Sequence, residues 1–187
     1  MERAPGPPFD RCRDYLRMLA RMQLRGSLRN KLDVSDVVQS AMLRAHEKAD
    51  QYRGDSEGEM LAWLRAILAT ELAGAARKYA ADARDVDRER SLENALDQTS
   101  TRIGDWLASD QTSPSMRASR EEELLRMAVA LERLPEDQRT CIELHHLQGL
   151  RLAEVAATVG RTEAAVVGLL YRGLKALRRE FAATSGG

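Results

Sequence analysis

The sequence predicts an all-α protein, built as two small helical domains joined by a flexible linker. Three observations predict it. Aromatic residues make up only 4% of the 187 residues, too few for the cross-strand packing of a sandwich or barrel. Ala, Leu, Arg and Glu, all strong helix formers, dominate. Apolar residues recur at three- and four-residue spacing along most of the chain. The pattern gives way to Ser, Thr, Asp and Gln over 97–112, so the expected units are 9–96 and 113–184 with 97–112 as linker.

The first helix is expected from about Phe9 to Leu32, with Tyr15, Leu16, Leu19, Met22 and Leu24 inward. Arg13, Arg17, Arg21 and Arg25 line its polar side, where a solvated face and a binding role stand equally open. Gly26 and Ser27 interrupt the pattern. Asp33 or Ser35 then caps a second helix. Val34, Val37, Val38, Ala41, Met42 and Ala45 form its buried stripe, leaving Gln39, Ser40, Arg44 and Glu47 outward. A polar loop spans Tyr52 to Ser56, and a third helix starts near Glu59. Leu61, Leu64, Ile67, Leu68, Leu72 and Ala75 make its inner face. It closes on Arg77, Lys78 and Tyr79, with Arg84 beyond; cations there also suit the helix dipole. Residues 82–90 alternate in charge and continue as a solvated helix, and Trp106 docks from the linker onto one domain.

Ser113 and Pro114 start the second domain as N-cap and first helical residue. Leu124, Met127, Ala128, Leu131 and Leu134 form its first stripe. Pro135 opens the next helix, which carries Cys141, Ile142, Leu144, His145 and Leu147 and stops at Gly149. From Leu150 to Phe181 the chain reads as a helix-turn-helix. Leu152, Val155, Ala156 and Val159 stripe one helix, Gly160 makes the turn, and Thr162 caps the next. That last helix buries Val166, Leu170, Leu174, Leu177 and Phe181. Arg161, Arg172, Lys175, Arg178 and Arg179 oppose only Glu163 until Glu180, the footprint expected of phosphate contact.

Several function classes fall away. His145 and His146 are adjacent, so they point apart on a helix, and no carboxylate at a matching spacing completes a metal site. There is no glycine-rich phosphate loop and no Ser/His/Asp set, so no catalytic residue, cofactor or metal is expected and the chain does not read as an enzyme. Cys12 and Cys141 make no disulfide framework, which favours a reducing cytoplasm. Residues 1–10 lack the apolar centre of a signal peptide, and no apolar run has the length to enter and span a membrane. The 29 basic and 29 acidic residues cancel, but they are segregated: basic before Asp33, acidic from Asp33 to Glu59, basic again in the last helix. That arrangement suits one face for DNA and another for a basic protein surface.

In order and separation, Asp36-Val37-Val38-Gln39, Tyr52-Arg53-Gly54, Ala62-Trp63-Leu64, Arg133-Leu134-Pro135 and Leu152-Ala153-Glu154-Val155-Ala156 form a recognisable set. The chain resembles the extracytoplasmic-function (ECF) subfamily of bacterial RNA polymerase sigma factors from about Phe9 to Phe181. The resemblance implies that the first domain is sigma region two and the second sigma region four. It implies a factor that binds RNA polymerase core and directs promoter-specific initiation. Asp33, Asp36, Val37, Gln39, Ser40 and Arg44 would then dock on the clamp helices of the polymerase β′ subunit. Tyr52, Arg53, Trp63, Thr70, Arg77, Lys78 and Arg84 would hold the melted minus-ten element, by stacking on flipped bases and by contact with the backbone. Arg161, Thr162, Glu163, Ala164, Val167, Gly168, Tyr171, Arg172 and Lys175 would face the minus-thirty-five element, while outer helices meet the β flap. An anti-sigma factor is a further implied partner.

The family pattern is broken at a few places. Val167 and Leu169 replace a Lys and an Arg common in the family, although an apolar Val167 suits a thymine methyl. Ala69, Thr70 and Gly74 replace the usual polar residues of the third helix. Arg151 stands where Ser or Thr usually caps, which forfeits roughly 1 kcal/mol. The alternative reading is a stand-alone helix-turn-helix regulator that binds duplex DNA without polymerase; it ordinarily needs a dimer, and no dimerisation helix is evident.

Overall fold

A computed structural model describes residues 9–24, 32–79, 86–110 and 117–184. Among these residues the regular structure is entirely helical, as expected. A 3-10 turn, Phe9–Cys12, leads into α1, Arg13–Gln23. Tyr15, Leu16, Met18, Leu19, Ala20 and Met22 are all buried, so α1 is a core helix rather than a surface one. It packs against α2 (Val34–Glu47), α3 (Glu57–Tyr79), α4 (Val86–Asp110) and α5 (Arg117–Glu132). The helix ends before Leu24, short of the expected Leu32, and Arg25, Gly26 and Ser27 lie outside the described residues.

Asp33 is the cap of α2: its carboxylate accepts the Ser35 amide at 2.7 Å. The expected stripe of α2 is buried apart from half-buried Val34, and Gln39, Ser40, Arg44 and Glu47 are exposed. The start of α3 is held by a reciprocal box. Glu59 accepts the Asp55 and Ser56 amides at 2.8 and 3.1 Å, and the Ser56 hydroxyl accepts the Glu59 amide at 3.2 Å. These bonds hold the Glu59 carboxyl below its ordinary pKa.

The expected linker needs correction. Residues 97–110 are the second half of α4. Leu92, Leu96 and Ile103 fall on one side of that helix, and the last two are fully buried. Between them Thr99 and Ser100 are buried too. The Thr99 hydroxyl donates to the Ala95 carbonyl at 2.8 Å, and Ser100 accepts from the Tyr15 hydroxyl at 2.9 Å. Hydrogen bonding allows these small polar residues into an inward face, so the polar composition concealed a helix. Arg65 extends the network, donating to Tyr15 at 3.0 Å and to Asp97. The side chain of Trp106, residues 111–112 and the Ser113-Pro114 start lie outside what is described.

In the second half, α5 is followed by α6 (Glu136–Ile142), a π-helical turn (Glu143–Leu147), α7 (Leu152–Val159) and α8 (Glu163–Thr184). Gly149, at φ 75°, reverses the chain after the π turn. His145 Nδ1 lies 2.7 Å from the Leu150 carbonyl oxygen across that reversal. The predicted stripe of α5 is buried, as are Cys141, Ile142, Leu144 and Leu147.

One hydrophobic core runs through both halves, from Phe9 to Leu177. Two of the arginines along α1, Arg17 and Arg21, point to carboxylates of the C-terminal half. Arg21 Nη2 lies 2.6 Å from Glu143, and its Nη1 2.5 Å from Glu132. Arg17 and Arg139 complete the cluster at 3.7 and 3.8 Å from Glu132. Burial pushes the Glu143 carboxyl up, and the Arg21 guanidinium partly restores it. Both cysteines are buried, and burial raises both thiols, Cys12 to about 11, which leaves them unreactive.

Candidate nucleic-acid interface

The helix-turn-helix is assembled from α7 and α8. Gly160, at φ 64°, ends α7, and the Arg161 amide bonds back to Ala156 at 3.0 Å. Thr162 caps α8 by accepting the Ala165 amide at 3.2 Å. Val155, Ala156, Val166 and Leu170 are buried where the helices meet. Deeper in the fold α8 crosses α6 at Gly173. A Cβ there would sit 2.9 Å from Ile142 and 3.1 Å from Gln138, so glycine is needed for the close crossing. The poor cap expected at Arg151 is offset, because Glu154 reaches back to accept the Arg151 amide at 2.8 Å.

This packing turns one side of α8 outward. Glu163, Ala164, Val167, Tyr171, Arg172 and Lys175 are exposed there, with Gly168 half-buried among them. The Arg172 guanidinium lies against Gly168, 3.3 Å from where a Cβ would stand. Arg161 is exposed but pairs with Asp137 at 3.1 Å, so part of its charge is already answered. Thr162 has its hydroxyl in the cap. Leu169 is half-buried and lines a cleft with Val159 and Thr158.

In the N-terminal half, two sets of expected residues converge. Asp33, Asp36, Ser40 and Arg44 of α2 line the same groove as Thr70, Arg77 and Lys78 of α3. Arg44 is fixed across it by Glu71 at 2.8 Å. Arg77 and Lys78 are exposed in the last turn of α3. Gln39 is exposed on α2 but does not appear in the groove wall. Val37 sits on the buried stripe expected for α2. At 5% exposure it belongs to the core, because its position on the inward stripe leaves only its edge at the groove. Thr70 is tied down by α4, with its hydroxyl 2.7 Å from a Glu89 carboxylate oxygen. Arg84 lies outside the described residues.

Tyr52 and Trp63 come together, but as part of a cluster. Their ring centroids are 5.2 Å apart, and fully buried Phe9 lies 5.3 Å from Trp63 and 6.3 Å from Tyr52. The Tyr52 hydroxyl donates to Ser56 at 3.2 Å, folding the ring over Gly54. Arg53 donates to the carbonyls of Asp50 and Tyr52 at 2.5 and 3.1 Å. The Tyr52 and Arg53 side chains thus shape the loop itself. Phe9 was missed as the base of this cluster. Glu143 was missed too, although a carboxylate set between Ile142 and Leu144 on the inward side is a visible signal.

Residues 124–177 match the family described as Sigma-70, region 4. The chain is 30% identical over 154 residues to the ECF RNA polymerase sigma factor SigF of Caulobacter vibrioides, covering 82% of this chain and 74% of that one. It is 30% identical over 149 residues to the ECF RNA polymerase sigma-E factor of Escherichia coli, covering 78% and 72%. A solved structure of the sigma factor RpoE with the anti-sigma factor NepR, from Bartonella quintana, aligns over 93% of this chain and 94% of that one. The identity there is 21% and the TM-score 0.35.

Proposed function

The chain belongs to the ECF RNA polymerase sigma factors, and from that premise we propose that it binds RNA polymerase core and directs promoter-specific initiation of transcription. The observation that carries this is the outward side of α8. It is a helix-turn-helix face with its cations gathered at Arg172 and Lys175. Those cations hold phosphates of the minus-thirty-five duplex, and the residues before them meet base edges. The α2/α3 groove supplies the second grip: its acidic α2 rim faces the β′ clamp helices, and Arg77 and Lys78 hold the minus-ten strand.

The polymerase performs the bond chemistry, and this chain supplies position and sequence choice. Its place of action is the cytoplasm, with the polymerase; among the described residues no helix is long and apolar enough to cross a membrane. Two elements about 25 base pairs apart are about 85 Å apart along duplex DNA. A chain of this length with one shared core has a radius of gyration of about 16 Å. Gripping both elements therefore requires α1 and α5 to part.

Co-purification with core polymerase tests the proposal. A stoichiometric complex that binds promoter fragments supports it. Tight binding of the isolated chain to duplex DNA, with no affinity for core, favours the stand-alone regulator instead.

A further inference from the structure

The base-facing part of α8 is apolar where hydrogen-bonding groups would be expected. Val167 is 50% exposed and Tyr171 71%, and they stand one turn apart on the same side. Ala164 and Gly168 flank them on that side and add no polar group. From Glu163 to Tyr171 the exposed polar groups are the Glu163 carboxylate and the Tyr171 hydroxyl; the cations begin at Arg172. Val167 and the Tyr171 ring thus form a small apolar strip on the outward side of the helix-turn-helix.

The major groove offers one common apolar feature, the C5-methyl group of thymine. Resting on the sigma-factor reading, we infer that Val167 and Tyr171 read the minus-thirty-five element through thymine methyls. Four residues of helix rise span about 6 Å, and base pairs are about 3.4 Å apart, so the two side chains meet methyls within two base steps. Ala164 leaves room for the helix to sit deep enough for this, and the Arg172 guanidinium covers Gly168 beside the pair. Arg172 and Lys175, farther along, grip phosphates and set the register without choosing the sequence.

The test uses holoenzyme assembled from core polymerase and the full chain. Promoters are selected from a duplex library randomised across both elements. Each enriched thymine of the minus-thirty-five element is then replaced by deoxyuridine, which removes only the methyl. The expected result is enrichment of neighbouring thymines and a loss of about three- to fivefold in complex stability per methyl removed. Val167→Ala should abolish the response at one thymine and Tyr171→Ala at the other. Both residues are exposed, so these variants should keep the fold. Enriched promoters that lack neighbouring thymines, or that bind equally well with deoxyuridine, overturn the inference and leave the sigma-factor reading standing. No enrichment over core alone overturns both.

Discussion

The Arg21 guanidinium holds the Glu143 carboxylate with both Nε and Nη2, at 3.1 and 2.6 Å, and so ties the first helix of the N-terminal half to the π turn of the C-terminal half. Glu143 is 5% exposed, so its charge depends on this partner. Arg21→Ala should destabilise the isolated chain by roughly 3–5 kcal/mol, because a buried carboxylate is left without its main cation. Urea unfolding measures this. The double change Arg21→Met with Glu143→Leu should recover most of the loss. A single variant as stable as the parent contradicts the contact.

Ile103 tests the status of the polar stretch. It is fully buried on α4. Ile103→Ala should cost about 2–5 kcal/mol by thermal or urea unfolding, as a core truncation does. A change under about 0.5 kcal/mol, as for an exposed position, would show that this segment is not packed.

Glu59 gives a pH dependence of defined sign. Its folded pKa is lowered by the Asp55 and Ser56 amides, which favour the carboxylate. Its contribution is therefore fully present above the ordinary glutamate pKa and is lost as pH falls through the lowered value. The stability difference between the parent and Glu59→Gln should be constant at neutral pH and shrink in acid. A difference that does not vary with pH would rule out the charged cap.

Most of the helices were legible because their stripes and caps are local properties of the sequence. Gly160 and Thr162 each announce a boundary by residue type alone, whereas the choice of Asp33 over Ser35 as a cap needed the Ser35 amide bond. The docked α4 was not legible, since Thr99 and Ser100 look like loop residues until Tyr15, 85 positions from Ser100, supplies a partner. The same limit applies to Arg21, whose partner is 122 residues away. The candidate sites were legible as surfaces but not in detail. Helical spacing placed Val167 and Tyr171 outward and Val37 inward, yet the loop-shaping bonds of Tyr52 and Arg53 depend on three-dimensional neighbours.

Arg172 and Lys175 are assigned to phosphates. Replacing both with Ala should weaken promoter binding by holoenzyme nearly equally across minus-thirty-five sequences. The slope of log affinity against log salt should become shallower by about 2. Titrations at several salt concentrations read both effects. An unchanged slope with altered sequence preference would reassign these residues to base reading.

The central claim is tested most directly by run-off transcription on genomic fragments, with core polymerase in the presence and absence of this chain. The account predicts discrete transcripts from specific start sites only when the chain is present, reduced by the Arg172 and Lys175 double variant. Transcripts no different from those of core alone would contradict it.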